Sequence, residues 1–421
     1  MTRSGGVNMI KVNVVPFASP RANRKSMQDM VLQLFAEIEA LPGLECTLEE
    51  PNEKQPEADV TVLLAMGGGI EPRMLPFIEC MDEPALILAR PAGNALAAAL
   101  DVLAIANGAG RPGRIVQATA GWQDELSELI AVFAAGARLK RRHIGVIGTR
   151  VIDVMDAFRL AIQVRKVWGP RLVHMEMQEL IDATRSVDPA QAAQGAEEFV
   201  RGASKIVEPD EETLVGAARV YLGLRRVVEN RRLDAVTVKC FDLIPVLANT
   251  GCYALARLNE EGIPAGCEAD VLSTLGMLFI RELTGLPSFM ANPVVIDPGA
   301  GTVTLAHCMI ARTMTASYII RSHLESGLGV GIQADLTPGP VTVVRLGGKK
   351  LDQVFAARGD LLGCSFRNDM CRTQLMIRLA DPETTRSILS RPLGNHHLVV
   401  TGDWVKRIRE FTSVFMQANG V

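Results

Sequence analysis

Val60-Thr61-Val62-Leu63-Leu64-Ala65-Met66, closed by Gly67-Gly68-Gly69, is the stretch whose reading decides the fold. A nearly unbroken apolar run of this length has no polar face. Such a strand must be covered on both sides, which is the situation of a strand inside a parallel sheet sandwiched by helices. The glycines read as a strand-to-helix turn. They follow neither the Gly-x-Gly-x-x-Gly spacing of a dinucleotide loop nor the lysine-bearing phosphate loop.

The surroundings agree. Residues 10–15 form a strand pattern, and residues 26–41 carry helical spacing through Met30, Leu34, Ile38 and Leu41 before Pro42-Gly43 stops them. Downstream, residues 85–89 and 115–118 read as strands. Each is followed by a helix, at about 94–106 and 123–137. Repeated strand–helix alternation means a parallel sheet covered by helices. A second unit starts at His143, with Ile144-Gly145-Val146-Ile147-Gly148-Thr149 as its first strand and turn. Helices are expected at 154–164, 211–230, 249–261 and 268–283, with a strand at 235–239. Lys140-Arg141-Arg142 marks the junction between the two units.

After Thr284 the texture changes. Strand patterns at 303–307, 330–333, 341–346, 374–379 and 398–401 are separated by Pro298-Gly299, Pro338-Gly339-Pro340 and Gly347-Gly348. The fold class expected is therefore α/β: two parallel-sheet α/β domains, 1–141 and 142–283, followed by a β-rich, mainly antiparallel domain, 284–421. Residues 403–417 end the chain as a helix, with Trp404, Ile408 and Phe411 on one side.

Bulk numbers narrow the function. A chain of 421 residues is expected to form two or three domains. Net charge is −3 with no long basic block, which argues against nucleic acid or an anionic membrane as partner. The most apolar region, 85–109, is broken by Arg90, Pro91 and Asp101 and reads as a buried strand plus helix, not a membrane span. No long apolar run follows Met1-Thr2-Arg3-Ser4-Gly5-Gly6, since Asn8 and Lys11 interrupt the first hydrophobic stretch, so no signal peptide is expected. The eight cysteines are scattered without a Cys-x-x-Cys pair. Cys240, Cys252, Cys267 and Cys308 lie in apolar segments, as reduced, buried thiols of a cytoplasmic protein do.

The chemistry gathers late in the chain. Glu268 lies in Cys267-Glu268-Ala269-Asp270, Asn292 follows, then His307, then His396-His397; the chain has only six histidines. One carboxylate, one amide oxygen and one or two imidazoles converging would hold a divalent cation with open positions. Each residue also has a plainer reading. Glu268 can be a first-turn charge favoured by the helix dipole. Asn292 before Pro293 is a turn former, and His307 on the face of Val303 and Leu305 can be a core histidine. His396 and His397 are adjacent in a strand, so at most one faces the site directly. Lys239 is either a site residue or the ion-pair partner of Asp242. Arg150 can reach a ligand oxygen. No Gly-x-Ser-x-Gly or His-Glu-x-x-His supports a serine hydrolase or a zincin.

Several segments together resemble the L-fucose isomerase-like family. They are Cys240-Phe241-Asp242-Leu243, Asn249-Thr250-Gly251-Cys252, Cys267-Glu268-Ala269-Asp270, the run Gly285 to Asn292, Ala306-His307-Cys308, the run Arg321 to Gly331, and Gly394-Asn395-His396-His397. L-Arabinose isomerase is a more distant relative. The resemblance implies stacked α/β domains before a β-rich domain, a homo-oligomer with sites near interfaces, and Mn²⁺ (or another divalent cation such as Mg²⁺). It implies a metal-dependent isomerase that interconverts an aldose and a ketose, with an L-fucose- or D-arabinose-like sugar as substrate. Glu268 becomes the carboxylate ligand and acid–base group, His397 in preference to His396 the late ligand, and His307 the ligand of the arabinose isomerase type. Position 292 holds aspartate in typical members. Asn292 can ligate a cation but cannot shuttle a proton near neutral pH. That leaves three readings besides a two-carboxylate enediol route: Glu268 acting alone, a hydride shift, or a site turned to binding, epimerase or lyase chemistry.

Overall fold

Strands Leu44–Leu48, Ile10–Phe17, Val60–Ala65, Ala85–Ala89 and Gly113–Gln117 lie side by side in that order and run parallel. The structure, a computed structural model, describes residues 9–19, 23–52, 57–148 and 154–416; Met1 to Gly6, Thr149 and Arg150 lie outside the described residues. Val62, Leu63, Leu64 and Ala65 have no exposed surface. Phe17, Ile70, Met74, Ile87 and Val102 pack with Leu63 into the core of this sheet. Full burial of a Val, Leu or Ile contributes about 1.5–3 kcal/mol each, so the apolar run holds the sheet together.

Two compact units are present, Met1–Arg138 with Lys406–Val421, and Leu139–Val405. The terminal helix Val405–Phe415 forms as its spacing predicts. It packs with the first unit, where Phe415 meets Phe133 with ring centroids 5.9 Å apart. The preceding sequence carries no signal for that return.

The second unit holds a four-stranded parallel sheet in the order Ala265–Cys267, Ala235–Val238, His143–Ile147, Arg171–Met175. It also holds a closed antiparallel barrel in the order Phe289–Asp297, Thr302–His307, Thr373–Leu379, Gln353–Cys364, Gly339–Gly347, His397–Thr401. The α/β class with a C-terminal β-rich part is as expected. Two details differ. Asn292-Pro293 is not a turn but part of a strand, whose register slips between Pro293 and Val295. A proline is tolerated in a sheet at such an irregularity. The helix expected from Glu268 instead spans Val271–Thr284, capped by Asp270, whose side chain accepts from the Ser273 N–H. No helix among the described residues is long and apolar enough to cross a membrane.

Candidate metal centre

Glu268 follows the strand Ala265–Cys267, at the carboxyl end of the four-stranded sheet. Its backbone and that of Ala269 are left-handed, with φ of 60° and 51°. Asp270 N–H closes the turn on Cys267 O at 3.1 Å. Two consecutive positive φ values are the pattern of a type I′ turn, which normally takes Gly or Asn. In other residues such backbone costs about 1–3 kcal/mol each and persists where the surroundings impose it, often at functional sites. The turn lifts Glu268 off the helix start and delivers its carboxylate to two imidazoles.

His307 ends the barrel strand Thr302–His307, and His396 precedes the strand His397–Thr401. Glu268 Oε1 lies 3.7 Å from His307 Nε2 and 3.4 Å from His396 Nε2. One ligand atom from each of the three lies within 4.8 Å of the other two. The His307 and then the His396 imidazole beside it hold the Glu268 carboxyl well below the usual carboxylate range, despite partial burial.

His396 has no exposed surface. Its Nδ1 is 2.8 Å from Asp270 Oδ2. That partner fixes the proton on Nδ1 and leaves Nε2 as a lone-pair donor. Nε2 is buried without a hydrogen-bond partner, as is Nδ1 of His307. Burial opposes protonation of His396, but Asp270 and Glu268 outweigh it and raise its pKa. Asp270 is braced in turn: Ser273 O–H donates to it at 2.8 Å, and the buried Arg345 guanidinium lies 3.5 Å away. Arg345 also donates to His396 O at 3.0 Å. Gly394 makes room for Arg345: at φ 145°, a Cβ there would sit 2.2 Å from Arg345 Nη2. An orphaned, carboxylate-oriented imidazole nitrogen beside an ionised carboxylate and a second imidazole is a donor set that fits a divalent cation.

The two adjacent histidines lie in different surroundings. His397, the residue favoured by resemblance, turns away: its Nδ1 donates to Asn395 O at 3.1 Å and its ring stands edge-on to Phe355. Burial pushes its pKa down to about 4. The chain delivers His396 to the cluster just before the strand begins, and alternation then sends His397 to the other face. Asn292 lines the same cleft, and its Oδ1 accepts from Asn395 Nδ2 at 3.2 Å. Lys239 forms the ion pair with Asp242 at 3.2 Å and is not among the residues lining the cleft.

Cys240, Cys252, Cys267, Cys308 and Cys371 line this cleft with Glu268, Asn292, His307, His323 and Glu325. The buried cysteines expected from apolar context are thus also cleft walls, a role their scattered spacing conceals. Burial raises the Cys252 thiol well above its ordinary value. The place of His323 and Glu325 in the cleft wall carries no local sequence signal, because a His two positions from a Glu in a polar loop resembles any solvated turn.

No family model matches the chain. It is similar to the sulfoquinovose isomerase of Clostridium sp. (strain MSTE9), 28% identical over 177 residues that cover 41% of this chain and 38% of the relative. It is also similar to the sulfoquinovose isomerases of Priestia aryabhattai and Priestia megaterium (strain ATCC 12872 / QMB1551). Each is 23% identical over 234 residues, 53% of this chain and 51% of the relative. The chain thus matches about half the length, or less, of these curated relatives.

Proposed function

We propose that this chain is a divalent-cation-dependent aldose–ketose isomerase of small sugars. The observation that carries the proposal is the convergence of Glu268, His307 and His396, with ligand atoms within 4.8 Å of one another. Similarity to proteins named sulfoquinovose isomerase supports sugar isomerisation as the reaction class. Sulfoquinovose is the first substrate to try, with L-fucose and D-arabinose next from the family resemblance.

Two imidazoles and one carboxylate suit Mn²⁺ better than Mg²⁺, which favours oxygen donors. When bound, the cation supplies Lewis acidity at the sugar's carbonyl and neighbouring hydroxyl. The rest falls to the chain. Glu268, kept ionised by its imidazole neighbours, takes the proton from C2 and returns it to C1. Asn292 positions the sugar by hydrogen bonding and moves no proton. A hydride shift from C2 to C1 is the competing route. The reading includes Mn²⁺ as the cation, a homo-oligomer with sites near interfaces, a cytoplasmic location, and a division of the chain near residues 141 and 283. It keeps His307 and His396 as ligands and leaves Lys239 and His397 outside the chemistry.

Asn292 favours a second reading, a sugar-binding or regulatory homologue without turnover. Mn²⁺-loaded protein incubated in D₂O with the three sugars separates the two. Isomerisation predicts interconversion by NMR, with deuterium at C1 or C2 on the proton-transfer route and none on the hydride route. A protein that binds Mn²⁺ normally yet interconverts none of them contradicts the isomerase reading. Product mass sets a lyase apart, because isomerisation leaves mass unchanged.

A further inference from the structure

Asn292 leaves half of the proposed chemistry without a carrier. Conversion of an aldose to a ketose moves one proton from C2 to C1 and another from the C2 hydroxyl to the C1 oxygen. Glu268 can serve the carbon-bound proton, but an amide at 292 cannot serve the other.

The same cleft holds a second carboxylate. Glu325 lines it together with Glu268, Asn292 and His307. Among the described residues no hydrogen bond or ion pair engages the Glu325 side chain. An unpaired glutamate on a loop is ordinarily just a solvated charge. The loop that carries it argues otherwise, because it is braced on both sides of Glu325. Ser322 O accepts from Arg372 Nε at 2.7 Å, and Ser322 N–H donates to Glu208 at 3.0 Å. His323 O accepts from Gly327 N–H at 2.9 Å, and His323 N–H donates to Leu328 O at 3.1 Å. His323 Nδ1 lies 3.0 Å from Ser326 Oγ, and its ring stands edge-on to Phe241. Gly329, at φ 58°, packs so closely that a Cβ would fall 2.7 Å from Thr250 N. Thr250 O–H donates to Val330 O at 2.8 Å. A loop tied down on both sides of its one carboxylate, which it leaves unengaged beside the cleft, is the arrangement expected of a group awaiting a substrate.

We propose that Glu325 is the second acid–base residue of this site, taking the proton of the C2 hydroxyl and delivering it to the C1 oxygen. The inference rests on the isomerase reading by proton transfer. Glu325 takes the O2 proton and passes it to O1 as Glu268 removes the C2 proton and the C2–H electron pair becomes the C1–C2 double bond. The O2 lone pair then forms the C2 carbonyl while the double-bond electrons take the proton back from Glu268 at C1. Every proton removed is returned, so no oxidant, reductant or co-reactant enters.

The test uses the full chain loaded with Mn²⁺, and the same three sugars in D₂O. Glu325→Gln keeps shape and removes proton transfer. It is expected to bind Mn²⁺ as the wild type does and to lose on the order of 10²–10⁴-fold in kcat. Glu325→Asp restores part of the rate, and the pH profile of kcat in Glu325→Gln lacks one ionisation. If the wild type is active and Glu325→Gln stays within a few-fold of it, this inference falls and the isomerase reading stands. If Mn²⁺ affinity falls together with the rate, Glu325 supports structure and the inference is equally overturned. A wild type inert towards all three sugars removes the isomerase reading and this inference with it.

Discussion

Two parts of the cleft differ in how they are held. The proposed cation site is buried and charge-braced: Glu268 in a left-handed turn, His396 fully buried against Asp270, and Arg345 behind both. The loop of His323 and Glu325 is held mostly through its backbone, and Glu325 itself is exposed. A ligand set must be fixed within fractions of an ångström, whereas a proton carrier needs reach and access to water. The same contrast recurs at one residue's separation, where His396 is bound into the charge network and His397 into a neutral, apolar one.

Breaking the buried network should produce the largest effects. His396→Ala removes a ligand, and Mn²⁺ affinity by calorimetry should fall by more than about a hundredfold, beyond what loss of an outer partner costs. Asp270→Asn leaves the ligand but loosens its orientation and basicity; affinity should fall about 10–100-fold. Equal affinities in Asp270→Asn and wild type would show that the brace is only structural.

Acidity sharpens the same contrast. Cation binding needs neutral imidazoles, so Mn²⁺ affinity should fall about tenfold per pH unit once pH drops below the raised value of His396. The cation-free protein should behave oppositely. Because the folded-state pKa of His396 is raised, the stability it contributes is fully present below the ordinary histidine value and is lost as pH rises through its own. Denaturant midpoints with and without Mn²⁺ should therefore diverge as pH rises; parallel curves would contradict the assigned network.

Substitutions outside the ligand set should leave the cation alone. His397→Ala empties buried volume beside Phe355, and should cost about 1–3 kcal/mol of stability with unchanged Mn²⁺ affinity. Ala269→Gly relieves left-handed backbone and should raise stability by at most about 1 kcal/mol, less the loss of a buried methyl. A destabilised Ala269→Gly would mean that the methyl contact outweighs the strain.

The parallel sheets were legible because continuous burial leaves a continuous apolar run, as in Val60–Ala65. The barrel was only partly legible. Gln353–Cys364, its longest strand, carries Arg358, Gly359 and Asp360 in mid-strand and shows no clean alternation. At the site, Glu268 and His307 were readable as isolated metal-capable residues. The turn that joins them to His396 was not, because left-handed Glu and Ala are imposed by tertiary packing that no local propensity records. The choice of His396 over His397 depended on where one strand begins, a matter of a single residue.

The most direct test of the central claim is anomalous diffraction at the manganese edge from crystals of the Mn²⁺-loaded protein. The account predicts one strong peak within coordinating distance of Glu268, His307 and His396. A peak elsewhere, or none at these three residues at saturating Mn²⁺, would contradict it.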